Sequence, residues 1–174
     1  MHKKRLVYII GFMGSGKSTA GKKLASSLGW SFIDLDRKIE EKAEKPIAQI
    51  FSQYGEAHFR TVEADVLRNY KSYTDTIIST GGGTPCHGDN MNFMLETGLT
   101  VYLKMSPSQL TERLIKSTHE RPLLKNIPDH KLINFIEEKL AFREKWYSRS
   151  DIIINGIDID ISLLSSKIKS SLSP

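Results

Sequence analysis

The sequence predicts an α/β fold in which a parallel sheet of five strands is covered by helices on both faces. Short apolar runs rich in β-branched residues alternate with segments of helical periodicity, and a glycine-rich loop joins the first run to the first helix. No repeat, low-complexity tract or linker interrupts the 174 residues, so we expect a single domain. Strands that alternate with helices pair in parallel through right-handed crossovers, and ligands then bind beyond the carboxyl ends of the strands.

The predicted strands are short apolar runs that end at glycine or polar residues. They cover residues 6–10, 31–35, 76–80, 99–105 and 151–155. Leu6 to Ile10 is apolar throughout, as expected for a buried strand. Glycines directly follow the first and third strands, which indicates that the chain turns there.

The predicted helices follow from periodic apolar residues and from capping signals. The first, residues 16–28, repeats alanine or leucine at every fourth position and ends at Gly29. Residues 36–72 contain no strand pattern and are predicted to be helical, with one helix opened by Pro46 and another after Gly55. A Ser-Pro-x-Gln capping pattern at residues 106–109 opens a helix that runs to about residue 116. The remaining predicted helices cover residues 88–97, 129–148 and 160–171.

The composition indicates which class of ligand the protein binds and in which cellular compartment it occurs. The net charge is +5, but the basic residues form no long block, so we expect small anionic ligands and no nucleic acid. Cys86 is the single cysteine, which excludes an intrachain disulfide and fits a reducing compartment. No segment approaches the roughly 20 apolar residues of a membrane helix. We therefore expect a cytoplasmic monomer with no membrane partner.

The loop after the first strand fits the phosphate-binding pattern G-x-x-x-x-G-K-[ST] over residues 11–18. Its backbone N–H groups and the positive end of the following helix suit an anion. Lys17 can reach the β- and γ-phosphates of a nucleotide, and the Ser18 hydroxyl is placed to ligate Mg²⁺. The predicted ATP-binding residues in this loop are Gly14, Ser15, Gly16, Lys17, Ser18 and Thr19.

An acidic pair, Asp34 and Asp36, follows the second strand. If the strand continued through both residues, they would point to the same face, at the ligand-binding edge. Asp34 can then hold a water of the Mg²⁺ shell, while Asp36 binds an acceptor hydroxyl and takes its proton or orients it. Alternatively, Asp36 is the N-cap of the next helix.

The third strand ends at three glycines, Gly81, Gly82 and Gly83, where motor-type and switch-type nucleotide hydrolases usually carry an aspartate. A turn with positive φ accounts for one glycine but hardly for three. The run indicates that a small polar substrate lies directly against the backbone.

Three arginines are candidates for binding anions. Arg60 either forms a surface ion pair with Glu63 or grips an acceptor carboxylate. Arg121, in the irregular polar stretch before the long helix, can close over the γ-phosphate and exclude water, or be a solvated loop residue. Arg143 is either a helix-surface charge or a second carboxylate ligand.

These motifs occur together in an order that resembles the shikimate kinases. The motifs are GFMGSGKST, DLD, FR-x-x-E, STGGG and ERPLL, followed by Arg143, and the resemblance extends over residues 6–155. It implies a three-layer P-loop kinase fold with a five-stranded parallel sheet in a single domain spanning residues 1–174. The core would be 1–33 and 74–174, the substrate-binding helical region about 34–73, and the lid about 117–127.

The resemblance also implies an activity and roles for the site residues. A shikimate kinase transfers the γ-phosphoryl group of ATP to the 3-hydroxyl of shikimate, with Mg²⁺, on the route to aromatic amino acids. Asp36 would then be the candidate base, and Arg121 the lid arginine on the phosphates. Arg113 would bind on the nucleotide side, and Asp34 would serve the metal. The shikimate-binding residues would be Asp36, Arg60, Gly81, Gly82, Gly83 and Arg143, and the catalytic residues Lys17, Asp36 and Arg121.

The nearest alternative is a P-loop kinase for another polyhydroxy acid, such as gluconate. A GTP-binding switch protein would need an N-K-x-D guanine motif, which the sequence lacks. A nucleic-acid-binding protein would need a basic or aromatic stripe, and none is present.

Overall fold

The structure is a computed structural model, and it describes residues 5–117, 124 and 127–172. Five strands lie in these ranges: β1 (Leu6–Ile10), β2 (Ser31–Asp34), β3 (Thr76–Ser79), β4 (Leu99–Lys104) and β5 (Ile152–Asn155). The helices of the same ranges are α1 (Lys17–Leu28), α2 (Leu35–Ala43), α3 (Ile47–Arg68), α4 (Asn90–Thr97), α5 (Pro107–Lys116), α6 (Asp129–Tyr147) and α7 (Ile161–Leu172). A short 3₁₀ turn at Thr84–Cys86 follows β3.

The strands form one parallel sheet in the order β2-β3-β1-β4-β5. β1 lies at its centre and is completely buried, because helices cover both faces. The register pairs Ser79 with Ile9 on one side and with Asp34 on the other. The predicted five-stranded parallel sheet is confirmed, and its topology places the ends of β1, β2 and β3 side by side.

Alternate residues of β1 enter cores on opposite faces of the sheet, as the twofold side-chain period of a strand requires. Tyr8 and Ile10 pack on the face that is covered by α2, α3, α4 and the end of α6. Ile9 packs on the other face, against Leu24 of α1 and Ile168 of α7. Each fully buried aliphatic side chain stabilises the fold by about 1.5–3 kcal/mol. This packing on both faces fixes the positions of the strand ends, from which the loops at the edge of the sheet begin.

A third cluster joins the phosphate-binding loop to α5 and α6. It consists of Phe12, Met105, Leu110, Leu114, Leu132 and Ile136. Gly14 lies against it so closely that a Cβ atom there would be 2.9 Å from Leu114 Cδ2. The position of the loop thus depends on the packing of these two helices as well as on β1.

Most boundaries agree with the sequence pattern to within two residues, and two of them bear on the shape of the chain near the site. Gly55 has non-helical backbone angles (φ 80°, ψ 173°), so α3 consists of two helical segments with a kink between them, as the pattern around Gly55 predicted. β2 ends at Asp34, one residue earlier than predicted, because the chain enters α2 at Leu35. No helix in the described ranges is long and apolar enough to cross a membrane.

Candidate active site

The phosphate-binding loop has the backbone that its glycines permit. Gly14 (φ 82°) and Gly16 (φ 86°) both adopt left-handed angles, which a residue with a Cβ atom adopts only under strain. The Ser15 N–H donates to the Phe12 carbonyl over 3.1 Å, closing the turn. Gly16 is the N-cap of α1 and has no side chain, so the first N–H groups of this helix have no side-chain cap. These donors are available to an anion.

Lys17 and Ser18, the first residues of α1, face the interior of this loop. Lys17 is 9% exposed, and its Nζ donates to the Phe12 carbonyl over 2.9 Å. The Ser18 hydroxyl donates to Asp34 Oδ2 over 2.8 Å and lies 3.2 Å from Ser79 Oγ. The structure thus brings together the two residues that were predicted to serve a metal ion.

Asp36 lies near this pair, but not for the reason that the sequence suggested. The predicted strand alternation is wrong, because Asp36 belongs to the first turn of α2. The predicted alternative, Asp36 as N-cap, is wrong as well, since Asp34 is the N-cap and accepts from the Arg37 N–H over 3.3 Å. Asp36 Oδ1 faces the glycine run: a Cβ atom on Gly81 would lie 2.9 Å from it.

The environment of Asp36 raises its pKa to about 6. Desolvation by burial is the largest cause, and the charge of Lys17 opposes it. The nearby carboxylates of Asp34, Glu63 and Glu40 raise the pKa further. The result is a carboxyl group that ionises close to neutral pH, as a general base requires.

Arg60, on α3, forms the predicted ion pair with Glu63, and its role as a ligand of an acceptor carboxylate stays a prediction. Its Nη1 binds Glu63 Oε2 at 2.9 Å and its Nη2 binds Glu56 Oε1 at 3.1 Å, so it is an ion-pair residue. Its guanidinium group also borders the glycine run, because a Cβ atom on Gly83 would lie 2.6 Å from Nη2. Only 18% of the side chain is exposed.

The sequence predicted Glu63 as a partner of Arg60, but it predicted neither the burial of Glu63 nor the contribution of Thr84. Glu63 is 1% exposed, whereas the sequence suggested an ordinary surface pair. Thr84, directly after the glycine run, donates its hydroxyl to Glu63 Oε1 over 2.6 Å. Glu63 follows Arg60 by three residues, on a helix face whose other residues are apolar. This position could have indicated that Glu63 is buried and paired with Arg60, because buried charges are almost always paired.

Arg143, on α6, faces the glycine run from the other side. A Cβ atom on Gly82 would lie 3.1 Å from Arg143 Nη1, and the guanidinium carbon lies 5.1 Å from the centre of the Phe12 ring. Within the described residues Nη1 is buried and has no hydrogen-bond partner. Buried polar groups without partners are rare, and they often mark the place of a ligand. The predicted role as a surface charge does not apply.

Arg113, on α5, contacts the phosphate-binding loop, and its role on the nucleotide side stays a prediction. Its Nη1 donates to the Ser15 carbonyl and its Nη2 to the Gly156 carbonyl, each over 3.2 Å. It thereby connects the phosphate-binding loop with the loop after β5. A cleft of about 420 Å³ opens there, bordered also by Thr19 and Asp158. Arg121 lies outside the described residues.

The arrangement defines a class of protein. The glycine run lies against the phosphate-binding loop, since a Cβ atom on Gly82 would be 3.3 Å from the Met13 amide nitrogen. Glycine backbone, the carboxylate of Asp36 and the guanidinium groups of Arg60 and Arg143 thus meet beside the phosphate-binding loop, a set of groups that suits a small anionic acceptor. This is the arrangement of a P-loop small-molecule kinase.

Comparison with known proteins specifies the family. The family model described as shikimate kinase matches residues 13–172. A shikimate kinase of Parabacteroides distasonis is 46% identical over 150 residues, which cover 86% of this chain and 87% of the relative. The chain therefore belongs to the shikimate kinase family.

Solved structures agree with this assignment. The crystal structure of shikimate kinase from Bacteroides thetaiotaomicron has a TM-score of 0.88 and 37% identity, covering 96% of this chain and 97% of that one. Shikimate kinase from Acinetobacter baumannii in complex with shikimate has a TM-score of 0.84 and 30% identity, covering 97% and 93%. A gluconokinase from Sinorhizobium meliloti shares the fold alone, at 15% identity and a TM-score of 0.58 over 99% and 93%.

Proposed function

We propose that the protein transfers the γ-phosphoryl group of ATP to the 3-hydroxyl of shikimate, giving shikimate 3-phosphate and ADP. The observation that carries this proposal is the orientation of Arg60 and Arg143 toward the glycine run, with Nη1 of Arg143 buried and lacking an acceptor. A substrate carboxylate placed there would accept from both guanidinium groups. Membership of the family and the likeness to a structure that contains shikimate support the same substrate.

The acceptor is held by charge and by backbone. Arg60 and Arg143 bind the carboxylate, while the N–H groups of the glycine run and the carboxylate of Asp36 bind hydroxyls. Glycine is suited to this place because a Cβ atom would lie 2.9 Å from Asp36 Oδ1 at Gly81 and 2.6 Å from Arg60 Nη2 at Gly83, and at Gly82 it would be in tight contact with Arg143, at 3.1 Å from Nη1. The substrate can therefore approach the backbone directly.

Transfer begins when the bound hydroxyl attacks the γ-phosphorus. The bond from phosphorus to the β,γ-bridging oxygen breaks, its electron pair leaves with ADP, and the hydroxyl proton passes to Asp36. With a pKa of about 6, most of the Asp36 carboxyl groups are ionised at pH 7 and can accept this proton. Lys17 and the N–H groups at the start of α1 stabilise the negative charge on the phosphates.

The oxygen donors near the loop fit a magnesium ion. Among the described residues no group of three or more His, Cys, Asp or Glu side chains could hold a metal. Mg²⁺ is usually bound through one or two protein oxygens together with phosphates and water, so the neighbouring Ser18 hydroxyl and Asp34 carboxylate suffice. When bound, the ion would neutralise phosphate charge.

We further propose that residues 34–73 form the substrate-binding region. We also propose that residues 117–127, of which only 117, 124 and 127 lie among the described residues, form a lid whose Arg121 reaches the phosphates. A lid that excludes water favours transfer to shikimate over hydrolysis of ATP. The protein is proposed to act as a monomer in the cytoplasm.

The test is ADP release measured with ATP and Mg²⁺, in parallel with shikimate, gluconate, a nucleoside monophosphate and no acceptor. We expect turnover with shikimate alone. Turnover with another acceptor alone, or with none of them from folded protein, would contradict the proposal.

A matched pair of variants ties the activity to this site. Lys17→Met is expected to lower turnover at least about 100-fold, because it removes the ammonium group that faces the phosphates. Lys22→Met makes the same change at an exposed position of α1 and is expected to retain activity. Equal losses in both variants would indicate a general effect on α1 instead of a role at the site.

A further inference from the structure

Tyr147, the last residue of α6, connects this helix to the glycine run. It is completely buried, and its hydroxyl donates to the Gly82 carbonyl. Its ring packs against Tyr102, with the ring centres 5.0 Å apart. Burial raises the pKa of Tyr147, so its hydroxyl remains protonated and able to donate at neutral pH.

This hydrogen bond fixes the orientation of a whole peptide group, because the carbonyl and the following N–H lie in one plane. The Gly82 carbonyl and the Gly83 N–H belong to the same trans peptide and point in opposite directions. Fixing the carbonyl on the Tyr147 side therefore fixes the N–H on the other side. Both flanking residues are glycines, whose broad backbone freedom would otherwise let this peptide rotate.

The same helix face supplies the anchor and the neighbouring arginine. Tyr147 follows Arg143 by four residues, one helical turn, so both side chains point the same way. Arg143 Nη1 lies close to Gly82, and the Tyr147 hydroxyl binds the carbonyl of that glycine. α6 therefore sets the spacing between the guanidinium group and the backbone of the glycine run.

We propose that Tyr147 is a positioning residue for the acceptor: its hydroxyl fixes the peptide between Gly82 and Gly83 at the spacing from Arg143 that binds the substrate. This inference rests on the proposed function, since it assumes that the acceptor lies against the glycine run. Desolvation raises the pKa of Tyr147, and the charge of Arg143 and a hydrogen bond with its side chain lower that pKa, so Tyr147 also holds Arg143 directly. Tyr147 takes no part in proton transfer.

The test compares two tyrosine-to-phenylalanine variants. Tyr147→Phe keeps the buried ring and removes the donor to Gly82. Tyr102→Phe is the matched control, because it removes the hydroxyl of the partner ring, which donates to Glu144 Oε2 over 2.9 Å, away from the glycine run. Glu144 also accepts from Lys104 and so remains paired in the control.

We expect Tyr147→Phe to raise the KM for shikimate about 5- to 10-fold, with the KM for ATP changed by less than about twofold. Tyr102→Phe should leave both values at the wild-type level. An unchanged KM for shikimate in Tyr147→Phe, or equal increases for both substrates, would overturn the inference. No shikimate turnover by the wild-type protein would overturn the proposed function and this inference with it.

A second measurement needs no substrate and reports on the backbone directly. In spectra of protein labelled with ¹⁵N at glycine, Tyr147→Phe should shift or broaden the amide signal of Gly83, while Gly29 at the end of α1 stays unchanged. A Gly83 signal identical to that of the wild type would show that the hydroxyl does not hold this peptide.

Discussion

Replacing Asp36 with asparagine is expected to stabilise the protein at neutral pH and to remove nearly all of its activity. The folded environment raises the pKa of this carboxyl group from 3.8 to about 6, chiefly through desolvation. Repulsion from Asp34, Glu63 and Glu40 adds to the effect, and attraction to Lys17 reduces it. The ionised side chain is thus held in an unfavourable place, which is the cost of keeping a base at the site.

The size of the effect follows from the pKa. A rise of about 2 units corresponds to about 3 kcal/mol of unfavourable free energy once the group is ionised. Asparagine removes the charge but remains polar, and the site is partly open to water, so we expect a net gain of about 1–2 kcal/mol at pH 7.5.

The sign of the pH dependence is also determined. Because the folded pKa is higher than the unfolded pKa, the folded state binds more protons between about pH 4 and pH 6. The favourable contribution of this group is complete below pH 3.8 and is lost as the pH rises through about 6. The stability difference between the variant and the wild type should therefore be near zero at pH 4 and constant above pH 7.

Urea unfolding from pH 4 to pH 8 measures this difference. Asp65→Asn is the matched control, because it makes the same change at an exposed position of α3 and should alter the free energy of unfolding by less than about 0.5 kcal/mol. Turnover of Asp36→Asn should fall at least about 100-fold. A variant that is less stable than the wild type at pH 7.5, or a difference that does not vary with pH, would refute the reasoning.

Three further variants test the surrounding groups. Arg143→Lys should raise the KM for shikimate about 10- to 100-fold, because lysine lacks the planar pair of donors that binds both oxygens of a carboxylate. Initial rates at varied shikimate concentration measure this KM, and an unchanged value would exclude Arg143 as a carboxylate ligand. Glu63→Gln should lower the free energy of unfolding, measured in urea, by about 1–3 kcal/mol, because it removes the buried charge that pairs with Arg60 and accepts from Thr84. Equal stability of variant and wild type would mean that these bonds have no net effect. Ser18→Ala should raise the Mg²⁺ concentration at half-maximal rate, and an unaltered magnesium titration would remove Ser18 from the metal site.

Each of these variants has a matched control at an exposed position. Arg149→Lys repeats the arginine change just beyond α6, and Ser26→Ala repeats the serine change on α1. Glu112→Gln repeats the glutamate change in an exposed ion pair with Lys116. We expect all three controls to behave as the wild type, since exposed pairs contribute little.

The sequence alone was sufficient for features that depend on neighbours along the chain. Glycine and proline signals, apolar periodicity and the capping pattern before α5 are local, and they predicted the elements and the parallel sheet that the structure has. The phosphate-binding loop is contiguous in sequence, so its residues could be named directly. The ends of β1, β2 and β3 were expected to meet because parallel topology requires it.

Only the tertiary structure decided how those pieces act together. The sequence left Arg60 and Arg143 with two interpretations each, and only the packed structure places both guanidinium groups beside the glycine run. It gave no indication that Thr84 would bind Glu63, 21 residues away, or that Tyr147 would bind Gly82, 65 residues away.

The end of β2 at Asp34 was likewise decided by the tertiary structure. Asp34 and Asp36 reach one site because the chain enters the first turn of α2 there, and not because a strand continues through both residues. Local patterns determine which elements form, because their energies come from residues a few positions apart. The pKa of Asp36 and the burial of Arg143 Nη1 arise from charges and surfaces that meet only after the helices have packed on the sheet.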